Sequence, residues 1–314
     1  MTNDTLTLFL SDFNFPALDY REISKRHNLI DFQSAAKCSG ERSYYLKREA
    51  ALLEISLVQY AMNKAVEKGF IPVITPDIIN TDIADRCGFQ PRSHSTQMYS
   101  LANEDKCLSA TAEIPLAGMY LDEKIFLHDL PIKLVAFGRC FRVETGNRGK
   151  GRITGLYRVH QFSKVELFGL TANEDGTESE ALLNEIVSLQ KEIHTELGLH
   201  CRVLDMPTTQ LGATAYRKYD IEAWMPGLKR YGEVTSASNC TDYQSQRLNI
   251  IYGKAAFGHK KKKLIDPKYV HTVNGTACAI PRTIIALLET HQKEDGSFAL
   301  PDVLSTSFRS INTA

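Results

Sequence analysis

The sequence predicts an α+β fold, a mainly antiparallel sheet flanked by helices. Three observations point there. Strand candidates come in adjacent pairs, Pro131 to Glu144 with Leu156 to Thr171, and Tyr219 to Met225 with Tyr231 to Ser236, as hairpins place them. Helical segments are interspersed among these pairs, the pattern of α+β proteins. The 314 residues are 43% hydrophobic, enough to bury a sizeable core as one large domain or two ordinary ones.

The elements follow in order. Residues 1–28 read as an irregular lead-in, and a single domain is expected over 29–314. Tyr45 to Lys68 carries apolar residues three and four apart (Leu46, Ala50, Leu53, Leu57), with Gly69 as its stop. A short apolar run, Phe70 to Thr75, ends at Pro76. Thr177 to Leu197 is helical, with Thr177 and Glu180 as a capping box and Gly198 past the end. Leu199 to Leu204 and Leu248 to Tyr252 are further strands. Pro281 opens a helix running through Leu288, since proline suits a first turn.

Composition excludes some functions. Lys plus Arg and Asp plus Glu are both 37, so no global basic field exists and any RNA contact must be local. The seven cysteines (Cys38, Cys87, Cys107, Cys140, Cys201, Cys240, Cys278) show no C-x-x-C or zinc spacing and are read as reduced thiols of an intracellular compartment. No apolar run approaches the ~18 residues a membrane span needs. Met1 to Tyr20 has no Lys or Arg and carries Asp4, Asp12 and Asp19, unlike a basic organellar presequence. The run Lys260 to Lys263, in the loop from Gly253 to Tyr269, reads as a solvated loop. A phosphate-backbone contact is the alternative, because the loop is expected between two active-site strands.

The chemistry concentrates between Phe141 and Glu166, FRVETGNRGKGRITGLYRVHQFSKVE. Two β-like segments flank a glycine-rich, basic loop. If Leu156 to Leu167 is one strand, alternation puts Arg158, His160, Phe162, Lys164 and Glu166 on one face. Tyr157, Val159, Val165 and Leu167 then fall on a core face. The first face suits a ligand with phosphates, a flat ring and an ammonium group.

This segment resembles motif 2 of class II aminoacyl-tRNA synthetases, specifically the seryl-tRNA synthetases. Phe141, Arg142 and Glu144 match its F-R-x-E. Gly155 to Phe162 and Lys164 to Glu166 match its second half. Thr111, Ala112 and Glu113 match the family's serine-binding T-A-E. Glu233 to Asp242 (EVTSASNCTD) matches its ATP- and metal-binding strand, and His271 to Arg282 (HTVNGTACAIPR) its motif 3. The helix and strand ending at Pro76 resemble motif 1, which lies at the family's dimer interface. Arg217 to Gly227, Cys87 to Pro91 and the Ala277–Cys278 pair look closest to animal mitochondrial members.

The resemblance implies a six- or seven-stranded antiparallel sheet and a homodimer. It implies activation of L-serine by ATP with Mg²⁺, then transfer to tRNA(Ser). Two anions must meet in that reaction, so positioning and cationic charge carry it. Arg142 is expected on the α-phosphate, Arg158 and Arg282 near the other phosphates, and Phe162 under adenine. Glu144 is expected beside adenine or holding Arg142. Glu233 and Ser236 match the metal positions. Their spacing of three breaks strand alternation, so a local irregularity is required. Glu113 and Glu166 are the candidates for serine, with Thr111, Arg142, Asn274 and Thr276 beside them. Asp220 and Glu222 are expected in salt bridges, His160 in a structural hydrogen bond and Cys278 in the core. Localisation by resemblance is the mitochondrial matrix, with the cytoplasm as alternative.

The chain departs from the family in three places. It begins too late to include the long coiled-coil arm that reaches the tRNA, which puts tRNA charging in question. Thr154 stands where arginine is common and the motif 2 loop is one residue longer, with Arg148, Lys150 and Arg152 able to compensate in charge. Ala277 replaces a glycine. Two rival functions remain: a non-catalytic paralogue acting as a regulatory subunit, and a ligase loading an amino acid onto a carrier protein.

Overall fold

The computed structural model describes residues 13–89, 98–144, 155–255 and 263–305. In chain order the first elements are α1 (Tyr20–His27), β1 (Ile30–Asp31), α2 (Phe32–Ser39), β2 (Tyr45–Leu46), α3 (Arg48–Glu67), β3 (Ile71–Ile74), β4 (Ile78–Asn80) and α4 (Thr81–Arg86). Then come β5 (Lys106–Leu108), α5 (Glu113–Gly118), β6 (Lys124–Phe126), β7 (Ile132–Phe141), β8 (Gln161–Thr171), α6 (Glu178–Glu196), β9 (Cys201–Asp205) and β10 (Arg217–Met225). The last are β11 (Arg230–Thr241), α7 (Tyr243–Leu248), β12 (Ile251–Ala255), β13 (Leu264–Tyr269), β14 (His271–Ala279), α8 (Ile280–Thr290) and α9 (Asp302–Ser305).

One seven-stranded sheet, in the order β3-β7-β8-β14-β11-β10-β9, organises these elements. Every pairing in it is antiparallel except β3 with β7. Alternation along β8 divides its residues between two cores. Val165 and Leu167 join the cluster formed with α3, α6 and α8, while Phe168 and Leu170 join a second cluster with α4, α5 and β12. The face leading to Phe168 is therefore packed at one end and carries polar groups at the other.

The lead-in reading is corrected by α1. Asp19 caps it by accepting the amides of Arg21 and Glu22, and Asn28 closes it in the left-handed region, both signals readable in the sequence. Tyr20 and Ile23 are fully buried in the main core. The helix is anchored by the buried Glu289, whose carboxylate accepts the amides of Tyr20 (3.0 Å), Gly227 (2.9 Å) and Leu228 (3.1 Å). Burial pushes the Glu289 carboxyl up to about 7, and the three amides pull against that rise.

Other boundaries shift for local reasons. Leu156 to Tyr157 belong to a 3₁₀ turn over Gly155–Tyr157, so β8 starts at Gln161. The proposed capping box at Thr177 does not form, because Thr177 makes no cap bond and Glu180 pairs with Arg217 at 2.5 Å. Thr177 instead donates its amide (2.8 Å) and hydroxyl (2.6 Å) to Asp175, and Glu178 braces the preceding turn by accepting the amides of Glu174 (2.7 Å) and Gly176 (3.1 Å). The expected loop from Gly253 to Tyr269 is strand at both ends, because β12 runs to Ala255 and β13 spans Leu264–Tyr269. Strand β12 pairs with both β13 and β6 in a separate three-stranded sheet, so the segment does not lie between two strands of the main sheet. Lys260 to Lys262, and Arg148, Lys150, Arg152 and Thr154, lie outside the described residues, as do Gln90 and Pro91.

The Glu289 anchor generates a stability prediction. A Glu289→Gln variant offers one acceptor oxygen and turns an NH₂ group toward amide donors. An unmatched buried donor costs roughly 1–3 kcal/mol, so the variant should unfold at lower urea concentration with an unchanged m-value. An unaltered midpoint would contradict the anchoring role.

Candidate active site

Three strands of the main sheet and the ends of two helices converge on one cleft, enclosing about 990 Å³ with the open solvent at its mouth included. Strand β8 contributes Phe162, Lys164 and Glu166, which alternation places on one face. Strand β11 contributes Glu233 and Ser236, and β14 contributes Asn274 and Thr276. The start of α5 supplies Glu113, preceded by Thr111, and the start of α8 supplies Arg282. Arg142 and Glu144, just past β7, and Arg158 complete the lining. The twelve residues expected to bind ATP, metal or serine thus line a common space, with Lys164 beside them.

The floor holds two buried carboxylates. Glu166 forms a 2.5 Å ion pair with Lys164 and accepts the Thr276 hydroxyl at 3.1 Å. The Lys164 ammonium also donates to the Thr111 hydroxyl at 2.7 Å. Glu113 accepts Nε2 of Gln244 (2.7 Å) and Nδ2 of Asn274 (3.1 Å), both on Oε1. Thr272 in turn donates to Oε1 of Gln244 at 2.8 Å. Burial, and next the charge of Glu166, pushes the Glu113 carboxyl up to about 7, against the opposing pull of Gln244, Lys164 and Arg142. A cationic group entering here would meet two carboxylates already oriented.

The upper part of the cleft is basic and aromatic. The Arg142 guanidinium lies 5.3 Å from the centre of the Phe162 ring and donates through Nε to the Ala110 carbonyl at 3.3 Å. Arg282 sits over the Tyr157 ring at 4.4 Å and donates to the Glu233 carbonyl at 3.1 Å, with the Glu233 carboxylate 3.4 Å away. The Tyr157 hydroxyl donates to that same carbonyl at 3.0 Å. Arginine forks held over flat rings are suited to phosphate beside a base.

Several expectations need adjusting. Tyr157 faces the cleft and not only the core, because the 3₁₀ turn rotates it out of strand alternation. His160 leaves the ligand face, with Nδ1 3.1 Å from the Arg142 carbonyl, so its structural reading holds. Glu144 pairs with Arg158 at 3.1 Å rather than with Arg142. Asp220 and Glu222 are in salt bridges, to Lys218 (2.7 Å) and Arg202 (2.6 Å). Cys278 is fully buried. Gln244 was missed, since it reaches Glu113 from α7 and no pattern in the chain links residues 131 positions apart.

The irregularity required at Glu233 and Ser236 is present. Ile221 pairs with Thr235 but Glu222 with Glu233, so Val234 is an extra residue in β11. This bulge turns both Glu233 and Ser236 toward the cleft. One half-exposed carboxylate and one hydroxyl suit magnesium, which takes one or two protein oxygens and fills its remaining positions with phosphate and water.

Comparisons with known proteins bear on the family. Residues 98–291 match the family described as the tRNA synthetase class II core domain (G, H, P, S and T). The mitochondrial serine–tRNA ligase of Mus musculus is 47% identical over 296 residues, covering 93% of this chain and 55% of that protein. The serine–tRNA ligase of Dictyoglomus thermophilum is 44% identical over 295 residues, covering 94% of this chain and 67% of the relative. The seryl-tRNA synthetase of Pyrococcus horikoshii, solved in complex with ATP, superposes with a TM-score of 0.86 at 39% identity over 94% of this chain and 63% of that one. The chain spans about 55% of the length of the mammalian relatives it matches. With the sheet, the cleft and these matches together, the chain belongs to the class II tRNA synthetases, in the seryl-tRNA synthetase branch.

Proposed function

We propose that this chain carries the catalytic domain of a serine–tRNA ligase, activating L-serine with ATP and passing it to tRNA(Ser). The observation that carries this reading is the single cleft that joins two buried carboxylates to an arginine–aromatic ceiling. Serine enters with its ammonium toward Glu113 and Glu166 and its carboxylate toward Arg142. A serine carboxylate oxygen attacks the α-phosphorus of ATP, the bond to the β-phosphate bridge breaks, and pyrophosphate leaves. Seryl-adenylate remains, and attack by a ribose hydroxyl at the tRNA 3′ end on its carbonyl carbon releases AMP.

Each group acts by placement and charge. Phe162 provides a plate for adenine, and Arg142 neutralises the α-phosphate as the serine carboxylate approaches. Arg158 and Arg282 take the outer phosphates. Glu233 and Ser236 would hold Mg²⁺, which when bound adds positive charge on the phosphates. Selectivity for serine over alanine follows from polar groups that pair with the hydroxyl. Thr111, Asn274 and Thr276 would lie beside it, and an alanine leaves such partners unmatched. The presence of every one of these groups in one cleft favours catalysis over the non-catalytic paralogue.

The finer readings are a homodimer and mitochondrial residence. Strand β3 is an open sheet edge with Ile71 and Ile74 exposed, Ile74 at 97%. Exposed Ile78 and Met119 lie near it along one groove. An apolar edge of this kind favours burial against a second copy. The mouse and bovine relatives named as mitochondrial support the compartment, while a Rubrobacter xylanophilus relative at 46% identity is nearly as similar.

The reading is tested by serine-dependent ATP–pyrophosphate exchange, with alanine and threonine as controls. Serine alone should support exchange, and Arg282→Ala should lower it about a hundred-fold or more, the loss typical of a transition-state charge partner. Folded protein without exchange would defeat the reading. A pH profile gives a second check. Glu113 is charged above about 7 and protonated below it, so kcat/KM for serine should fall as pH drops through that region, approaching about ten-fold per unit. A flat profile between pH 6 and 8 would show that Glu113 need not be ionised.

A further inference from the structure

Strands β11 and β14 do not run together to the end of the cleft. Their register proceeds from Thr241–Thr272 to Ala237–Gly275 and has no further pair. Beyond that point each strand carries an extra residue. Val234 is the one in β11. In β14 it is Ala277, since Thr276 pairs with Glu166 but Cys278 with Val165. The two strands part where Ser236 and Glu233 face Thr276 across the cleft.

One buried side chain reaches both strands from the helix behind them. Gln190, on α6 and fully buried, places its Nε2 2.8 Å from the Ser236 carbonyl and 2.9 Å from the Thr276 carbonyl. The same nitrogen lies 3.0 Å from the Thr235 hydroxyl, which itself donates to the Thr276 carbonyl. The approach depends on Gly275. A Cβ there would sit 2.5 Å from Cγ2 of Ile186 and 3.1 Å from Nε2 of Gln190, so only glycine lets α6 come this close.

We propose that Gln190 is a positioning residue that clamps the parted ends of β11 and β14, and so sets the distance between the metal- and phosphate-facing groups and the serine-facing groups. It touches no substrate. It takes the place of the missing ladder bonds, from the side of the sheet opposite the cleft. The two half-sites that it joins, Glu233 with Ser236 and Thr276 with its partner Glu166, must be held together for two anions to meet. The assignment of half-sites rests on the adenylation reading, while the clamp itself rests only on the hydrogen bonds and bulges.

The test separates those two layers. Gln190→Met keeps the side-chain length and removes both N–H donors. Amide hydrogen exchange should accelerate about ten-fold or more over residues 233–237 and 275–279, with β7 and β8 beyond the cleft unchanged. In pyrophosphate exchange, KM for ATP and KM for serine should rise together by about ten-fold, the equivalent of 1.4 kcal/mol. A merely structural glutamine would lower the melting temperature and leave that paired change absent. If Gln190→Met does not fold, Thr235→Val, which removes the hydroxyl shared by Gln190 and Thr276, is read in the same way. Unchanged local amide exchange in the folded variant overturns the clamp. Loss of pyrophosphate exchange already in the parent overturns the adenylation reading, and amide exchange still decides the clamp.

Discussion

Glu113 and Glu166 are buried close enough for the charge of one to raise the proton affinity of the other, and most of the site can be understood as compensation for that. Two carboxylates taken out of water are costly unless cations and donors surround them. Lys164, itself buried, supplies the cation to Glu166. Gln244 and Asn274 supply donors to Glu113. These partners come from β8, α7 and β14, so the polar floor ties together segments more than a hundred residues apart. An incoming ammonium group would complete the compensation, which is why such a floor favours an amino acid over a neutral ligand.

The sheet supplies the rest by departing from regularity. A flat antiparallel ladder would send Glu233 and Ser236 to opposite faces. The extra Val234 returns them to one face, and the extra Ala277 keeps Thr276 opposite Glu166 while turning Cys278 into the core. Both bulges lie beside the cleft, where re-aiming a side chain matters most. Packing on the far face, from α3, α6 and α8, makes the distortion affordable because it is buried in apolar contacts.

Much of this was legible in the chain. Alternation identified Phe162, Lys164 and Glu166, and an impossible spacing between Glu233 and Ser236 correctly demanded an irregularity. The long helices α3 and α6 followed from apolar periodicity. What escaped had physical reasons. Strand alternation was extended across a 3₁₀ turn, which misplaced Tyr157 and His160, because the glycine at 155 marks a break without showing its direction. The capping box at Thr177 was lost because the Thr177 hydroxyl turns back to Asp175 and Glu180 is drawn to Arg217, a partner distant in sequence. Helix α1 was overlooked although Asp19 and Asn28 bound it, since its few apolar residues gave too short a pattern. Gln190 and Gln244 act through partners far away in sequence, and no local rule reveals such contacts.

The central claim is that one cleft holds adenosine, phosphate and a hydroxyl-bearing amino acid together. Calorimetric titration with non-hydrolysable seryl sulfamoyl-adenosine, against the alanyl analogue and adenosine monophosphate, tests it most directly. The account predicts that the seryl compound binds at least a hundred-fold more tightly than the alanyl one, since a hydroxyl pocket leaves polar groups unpaired without it, and more tightly again than the nucleotide alone. Equal affinity for the seryl and alanyl compounds would contradict it.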